Sequence, residues 1–428
     1  MNGASGIIPV RLGCDSSRRR LLKGRPYVRS LAEWLVAHCA GHRGLLALGE
    51  PCLSTGGRAV DEYSTVFVGM DVAKERHAVA VAEPGRQGEV RYFGEVNADA
   101  ASVRKLVARL EKRHGKLHFC YEAGPTGYRL YRQIIALGHE CSVVAPSLIP
   151  RKPGDRIKTN RRDALQLARL LRAGELTAVW VPDEAHEAIR ELIRSRAAAV
   201  DDLRRKRQAI SSMMLRYGRS YPGKTTWTKQ YKQWLQTQKF EHAAQHLVLQ
   251  DMILAAQHAQ ERLDQLEDVI TEFLPSWSLA PMVQALQALR GIRLVTAATI
   301  MAEIGDLRRF ETAGQLMSYL GLVPGEHSTG EHVRRLGITK AGNRRVRCAL
   351  IEAAWTYRHL PKTSQLKSYV HEKVSPAVRD IALKAQSRLC ARYRVLSNRG
   401  KMLTVAVTAI ARELAGFIWA IGKAMQPD

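Results

Sequence analysis

Carboxylates are scarce in this chain: 40 Asp and Glu stand against 66 Lys and Arg, for a formal charge of +26 and a pI of about 10.1. An excess of this size points to a polyanion, above all nucleic acid. A basic protein that merely rests on ribosomes or acidic lipids is disfavoured, because the cations are clustered. Cysteine chemistry is lacking as well. The seven cysteines (14, 39, 52, 120, 141, 348, 390) form no Cys-x-x-Cys pair and have no His spacing suited to zinc. They read as reduced, mostly buried thiols of a cytosolic protein. No run of about 18 apolar residues is found, so no membrane span is expected. The apolar stretch 403–421 is interrupted by Arg412 and Glu413 and belongs in a core. Ser17–Lys23 has the look of a twin-arginine export signal, but Arg25, Arg29 and Glu33 break the apolar stretch that should follow. Residues 1–63 carry neither period nor motif and are expected to form a basic, poorly ordered extension.

Beyond residue 64, short β-prone runs at 65–71, 77–82 and 89–96 predict a three-strand meander. Helical spacing follows at 99–113, then a strand at 117–122, a helix around 127–137, a strand at 141–145, a helix around 161–173 and a last strand at Thr177–Val181. This order predicts a mixed α/β sheet of the ribonuclease-H-like kind over 64–183. Residues 184–218 read as a very basic helix. Met252, Ala256, Ala259, Leu263, Leu266, Ile270 and Phe273 then recur in steps of 4 and 3, a coiled-coil seam within 184–280. That seam either packs inside its own domain or pairs subunits. Residues 281–428 are helical, so the fold class is α/β plus all-α. A Gly291 turn between two helices has the form of a phosphate-binding hairpin.

Three acids stand out. Asp71 and Glu122 each end an apolar run, and Asp163 sits in the basic stretch Lys158-Thr159-Asn160-Arg161-Arg162-Asp163. Carboxylates at strand ends suit Mg2+ or Mn2+, and two such ions suit phosphodiester chemistry. Asp163 alone could equally be a helix-start acid favoured by the macrodipole. Lys158, Arg161 and Arg162 are candidate phosphate contacts. Downstream, Ser328-Thr329-Gly330 precedes Arg334, Arg335, Lys340, Asn343, Arg344, Arg345 and Arg347. A hydroxyl among these cations suits attack on a phosphate, although a plain turn serine fits this fragment equally well.

Taken in order, Val68-Gly69-Met70-Asp71-Val72-Ala73-Lys74, Tyr121-Glu122-Ala123-Gly124-Pro125-Thr126-Gly127, Lys158–Ala164, Gly321-Leu322-Val323-Pro324 and Gly337–Arg344 resemble the DEDD-type insertion-sequence transposases guided by a bridge-type noncoding RNA. The resemblance spans roughly residues 64–421. It implies a RuvC-like (Holliday-junction-resolvase-like) domain with four metal ligands and a transposase domain with a DNA-attacking serine. Asp71, Glu122 and Asp163 match three of the ligands; the fourth position is Asn160, which offers an oxygen but less charge. The serine of much of the family lies directly before the glycine, where Thr329 stands here, and Ser328 precedes it. The implied cofactor is Mg2+ or Mn2+. The implied partners are DNA, a guide RNA and further copies of the chain through the coiled coil. The implied location is the cytoplasm of a prokaryotic cell, at the nucleoid. Two rival readings are a junction-resolving nuclease that uses the acids alone and a non-catalytic nucleic-acid-binding protein from a decayed element.

Overall fold

The computed structural model describes residues 65–150, 159–330, 332–361 and 373–425; of Arg335 it describes only the backbone. The extension 1–63 and Lys158 lie outside these residues. Five strands form one sheet: β1 (Val66–Val72), β2 (Arg76–Ala82), β3 (Val90–Asn97), β4 (Leu117–Glu122) and β5 (Glu140–Val144), in the order β3-β2-β1-β4-β5. The first three pair antiparallel, while β4 and β5 run parallel to β1. The strand expected at Thr177–Val181 is not formed. Only a bridge between Val144 and Ala178 remains. Pro182 lacks the N–H a ladder needs, and Trp180 turns away to meet His186 edge-on at 4.8 Å.

Strand side chains alternate, so the sheet has two distinct faces. Val66, Val68 and Met70 of β1, with Leu117, Phe119 and Tyr121 of β4, pack on α1 (Ala100–His114) and α2 (Arg129–Ala136). Helix α3 (Asn160–Arg172) covers the other face with Ala164, Leu167, Ala168 and Leu171. Small residues allow its close approach: a Cβ on Gly69 would collide with the backbone of Ala164 and Ala168. The direction of α3 follows from its ends. Arg172 donates to the carbonyls of Glu83 and Gly88 at 3.1 and 2.6 Å, in the turn after β2. Ala82 at the end of β2 is opposite Phe67 at the start of β1. Helix α3 therefore runs against β1, and its first turn lies at the carboxyl ends of β1 and β4.

A long helix, α4 (Glu184–Arg216), follows, capped by Asp183, whose side chain accepts from the His186 amide. After α5 (Lys229–Thr237), α6 (Ala243–Phe273) returns along it. The partners Arg196–Glu267 and Arg207–Gln260, at 2.9 and 2.7 Å, fix the antiparallel register. The 4-and-3 seam is thereby used within the chain: Ala259 and Leu263 are buried against Ala199 and Leu203, with Leu266 at the margin. Of the two readings of the seam, packing inside its own domain is the one α4 satisfies here. Next come α7 (Ala280–Leu286), α8 (Leu294–Ile304), α9 (Ala313–Tyr319), the hairpin β6 (Pro324–Thr329) and β7 (His332–Ile338), α10 (Arg344–Ala354), α11 (Pro376–Asn398) and α12 (Leu403–Ala424). Their apolar faces share one core. Helix α12 is long and apolar enough to cross a membrane, yet it buries Val407, Ile410, Leu414 and Ile418 in that core. Its Glu413 takes Arg388 and Arg392 of α11.

Gly69→Val should push α3 off β1 and cost about 1–3 kcal/mol of stability; an unchanged melting temperature would contradict the close approach. Placing Asp at both Leu263 and Leu266 should melt the α4–α6 hairpin, seen as a fall in helical ellipticity. Smaller soluble particles with full helicity in light scattering would instead return the seam to subunit pairing.

Candidate active site

The alternation that buries Val68 and Met70 turns Asp71 to the opposite face, where α3 lies. Cys120 packs towards α3, so Glu122, two residues on, faces it as well. Met70 is opposite Tyr121, which leaves Asp71 and Glu122 next in register on adjacent strands. The first turn of α3 lands at this edge. Thr159 caps it, accepting from the Arg162 amide at 3.3 Å, and Asn160 and Asp163 sit in that turn. Asp71, Glu122 and Asp163 are all half-buried, and Asn160 is exposed. The sequence thus brings four oxygen-bearing side chains to one end of one face. Their donor chemistry fits a hard divalent cation. Among the described residues, no three Asp, Glu, His or Cys side chains gather closely round one point. Arg161 lies over the Tyr92 ring at 5.3 Å, and Arg162 is exposed beside the same turn.

Ser328 and Thr329 are not in a loop. They end β6 in an exposed hairpin, Ser328 opposite Val333 and Thr329 opposite His332. Gly330 makes the turn with φ of 58°, a left-handed conformation that suits glycine. The two hydroxyls therefore point to opposite faces. The Ser328 hydroxyl donates to Glu326 Oε1 at 2.8 Å. Glu326, two residues back on the same face, does not stand out in the sequence; its signal is the alternation Glu-His-Ser. Arg334 is exposed on β7.

The base of the hairpin is closely packed. Gly321 and Gly342, at φ of 62° and 67°, let residues 319–321 and 340–342 touch backbone to backbone. Arg347 reaches between them and donates to the carbonyls of Leu320 and Ala341 at 3.0 and 2.9 Å. It is buried, so the expectation that it meets a phosphate is corrected: its charge is spent on two carbonyls inside the protein. Asn343 is corrected likewise. Its Oδ1 caps α10 at the Val346 amide, and its Nδ2 donates to Glu303 at 2.9 Å. Lys340 and Arg344 remain exposed, and Arg345 is half exposed 3.7 Å from Glu303. Gly291, expected in a phosphate-binding turn, instead backs closely onto Ala353 and Thr356.

Glu303 is the buried group at this junction, with its side chain 2% exposed. Arg194 of α4 donates to both its oxygens, at 2.7 and 2.9 Å. Burial alone would raise its pKa, but the hydrogen bonds from Arg194 and Asn343 outweigh burial and hold it below the ordinary glutamate value. Next to it, the Ala302 carbonyl meets His186 Nε2 at 2.9 Å and accepts from Arg190 at 2.8 Å. Burial keeps the His186 pKa low.

Because the folded-state pKa of Glu303 is depressed, its stabilisation is present above the unfolded value of about 4.3 and disappears as pH falls through the folded value. Glu303→Gln should cost about 1–3 kcal/mol near neutrality. In denaturant titrations, the gap to the unmutated protein should narrow as pH falls below the ordinary glutamate value; parallel stability curves would refute the assignment.

Two family models match this architecture. A transposase model of the DEDD, IS110 type covers residues 68–218, the sheet region and α4, and one described as the IS116/IS110/IS902 transposase family covers 283–371. The chain is 60% identical to "Putative transposase y4qE" of Sinorhizobium fredii over 89% of its own length and 94% of that protein. It is 30% identical to the transposase for insertion sequence element IS1533 of Leptospira borgpetersenii, over 79% of this chain and 98% of that one. The chain belongs to the IS116/IS110/IS902 family of DNA transposases.

Proposed function

We propose that this transposase cuts and rejoins DNA through two groups of residues, the acid edge of a ribonuclease-H-like sheet and the Ser328 hydroxyl. The observation that carries the reading is the β1–β4 register, which sets Asp71 and Glu122 side by side beneath the first turn of α3. The strand order, with three antiparallel strands followed by two parallel ones, also suits that fold. Asp71, Glu122, Asp163 and the Asn160 carbonyl would hold Mg2+ or Mn2+. When bound, the ion supplies charge neutralisation at a phosphodiester and at its leaving oxygen.

The residues themselves account for the remaining chemistry. Ser328 Oγ attacks phosphorus, a P–O bond to Ser328 forms as one P–O bond of the strand breaks, the proton of the serine hydroxyl passes to Glu326, and the departing oxygen takes a proton from water to become a DNA hydroxyl. Attack on that linkage by the hydroxyl of a second cut strand, whose own proton goes to water, joins the two strands and releases Ser328 Oγ, which recovers its proton from Glu326. Arg334, Lys340 and Arg344, all exposed along the same stretch, attract the strand, with Arg161 and Arg162 doing so at the acid edge. A guide RNA is the second nucleic acid that the family resemblance implies, and the charge of +26 suits it.

Asp71→Ala should abolish strand exchange and leave DNA affinity largely intact; full activity would refute the acid site. In a stalled reaction run on a denaturing gel, the unmutated protein should carry a covalently attached strand. Ser328→Ala should lose that adduct and Thr329→Ala should keep it, while Glu326→Gln should slow its formation. The reverse pattern would move the nucleophile to Thr329. Cleavage without any adduct would favour a junction-resolving nuclease.

A further inference from the structure

The far end of the α4–α6 hairpin lies outside the main part of both family matches, which leave residues 219–282 uncovered. From Leu203 to Phe240 the chain has ten Lys and Arg and no Asp or Glu. Arg204, Arg205 and Lys206 are paired with Asp201 and Asp202, and Arg207 lies over the Trp227 ring at 5.1 Å. The other six, Arg216, Arg219, Lys224, Lys229, Lys232 and Lys239, are exposed. None of the six forms an ion pair with a carboxylate among the described residues, in contrast to the cations nearer the acids.

These cations are carried on an ordered scaffold. Tyr231 and Leu235 of α5 pack with Ile210, Met213 and Leu249 of the two long helices. Tyr221 meets Tyr231 and Trp234 at 5.0 and 5.4 Å, and Phe240 lies between Tyr217 and Arg219. Arg219 donates to the Lys239 carbonyl at 2.7 Å and ties the two ends of the segment together. Most of these rings are at least partly buried in contacts with one another or with arginine, and Tyr217, at 42% exposure, is the one exposed ring of the segment beside six exposed cations. What the tip presents outward is chiefly positive charge. That surface matches phosphates whose bases are hidden, as in a duplex.

We propose that the tip of this hairpin grips the phosphate backbone of duplex DNA, without regard to sequence, at a distance from the reacting strands. Twenty-two residues of helix separate Arg194, at the Glu303 junction, from Arg216 at the tip, about 33 Å at 1.5 Å per residue. That is close to one turn of B-form DNA, about 34 Å. A duplex lying along α4 from the base of the β6–β7 hairpin would thus present the same side of its backbone to the tip. The inference rests on the transposase reading only in taking DNA as the substrate.

The test uses the full chain and a random-sequence duplex, with affinity measured over a salt series. The variant K224Q/K229Q/K232Q/K239Q should lower the slope of log affinity against log salt by about 3 to 4, at roughly 0.9 for each phosphate no longer neutralised. A control with the same reduction in charge, K105Q/K112Q/K384Q/K401Q, should leave the slope within about 1 of the unmutated value. In the unmutated protein, bound duplex should protect the four tip lysines from acetylation, a readout independent of how the variant folds. An unchanged slope in the tip variant, an equal drop in the control, absence of protection, or a weakening confined to single-stranded RNA would each overturn the proposal. Strand exchange is assayed separately: its absence in the unmutated protein, with the slope change intact, would count against the recombinase reading and leave the tip standing.

Discussion

The arrangement of the helical region depends on one buried carboxylate. Taking Glu303 out of water costs several kcal/mol unless donors surround it, and its donors come from different elements. Arg194 arrives from α4, Asn343 from the N-cap of α10, and Glu303 itself stands near the end of the apolar helix α8. Glu303 receives all its donors only when these elements meet, so the junction couples the long basic helix to the base of the hairpin that carries Ser328. The adjacent Ala302 carbonyl, shared by His186 and Arg190, extends the same seam by two turns of α4. His186 also sits edge-on to Trp180 and Trp277, at 4.8 and 5.1 Å, which ties the segment leaving the sheet to the helical core.

The acid edge is organised by a different economy, that of small residues. Gly69, Ala78, Ala80, Ala82, Ala164 and Ala168 line the interface between the sheet and α3. Their lack of bulk lets a helix lie close on the strands, which brings its first turn down to the ends of β1 and β4. Position in the sheet, rather than any local motif, is what puts Asp71, Glu122 and Asp163 at the same edge of the fold.

Much of this was legible in the sequence because it is periodic. The five strands of the sheet and α1 to α4 follow from alternation and helical spacing, and the three acids stand where those patterns stop. Other features were hidden for physical reasons. The β6–β7 hairpin is exposed on both faces, so Glu326-His327-Ser328-Thr329 shows no apolar alternation. A 4-and-3 stripe says that a helix face is covered but not by which chain, and here α4 covers it. Arg344 and Arg347 look alike in a charge count. About one turn separates their roles, because Arg347 follows buried Val346 into the gap beside Leu320 while Arg344 stays in water. Glu303 does carry a signal in the sequence: it is the lone acid in the apolar run Leu294–Ile304.

The unbroken geometry of α4 also makes its length a matter of phase. Each residue advances the helix by about 100°, so one inserted between Arg194 and Arg216 would swing the basic tip nearly a third of the way round the axis. It would also slip Arg196 and Arg207 out of step with Glu267 and Gln260 on α6. Changes in length along this lineage are therefore expected to come as matched additions to both helices, in whole heptads.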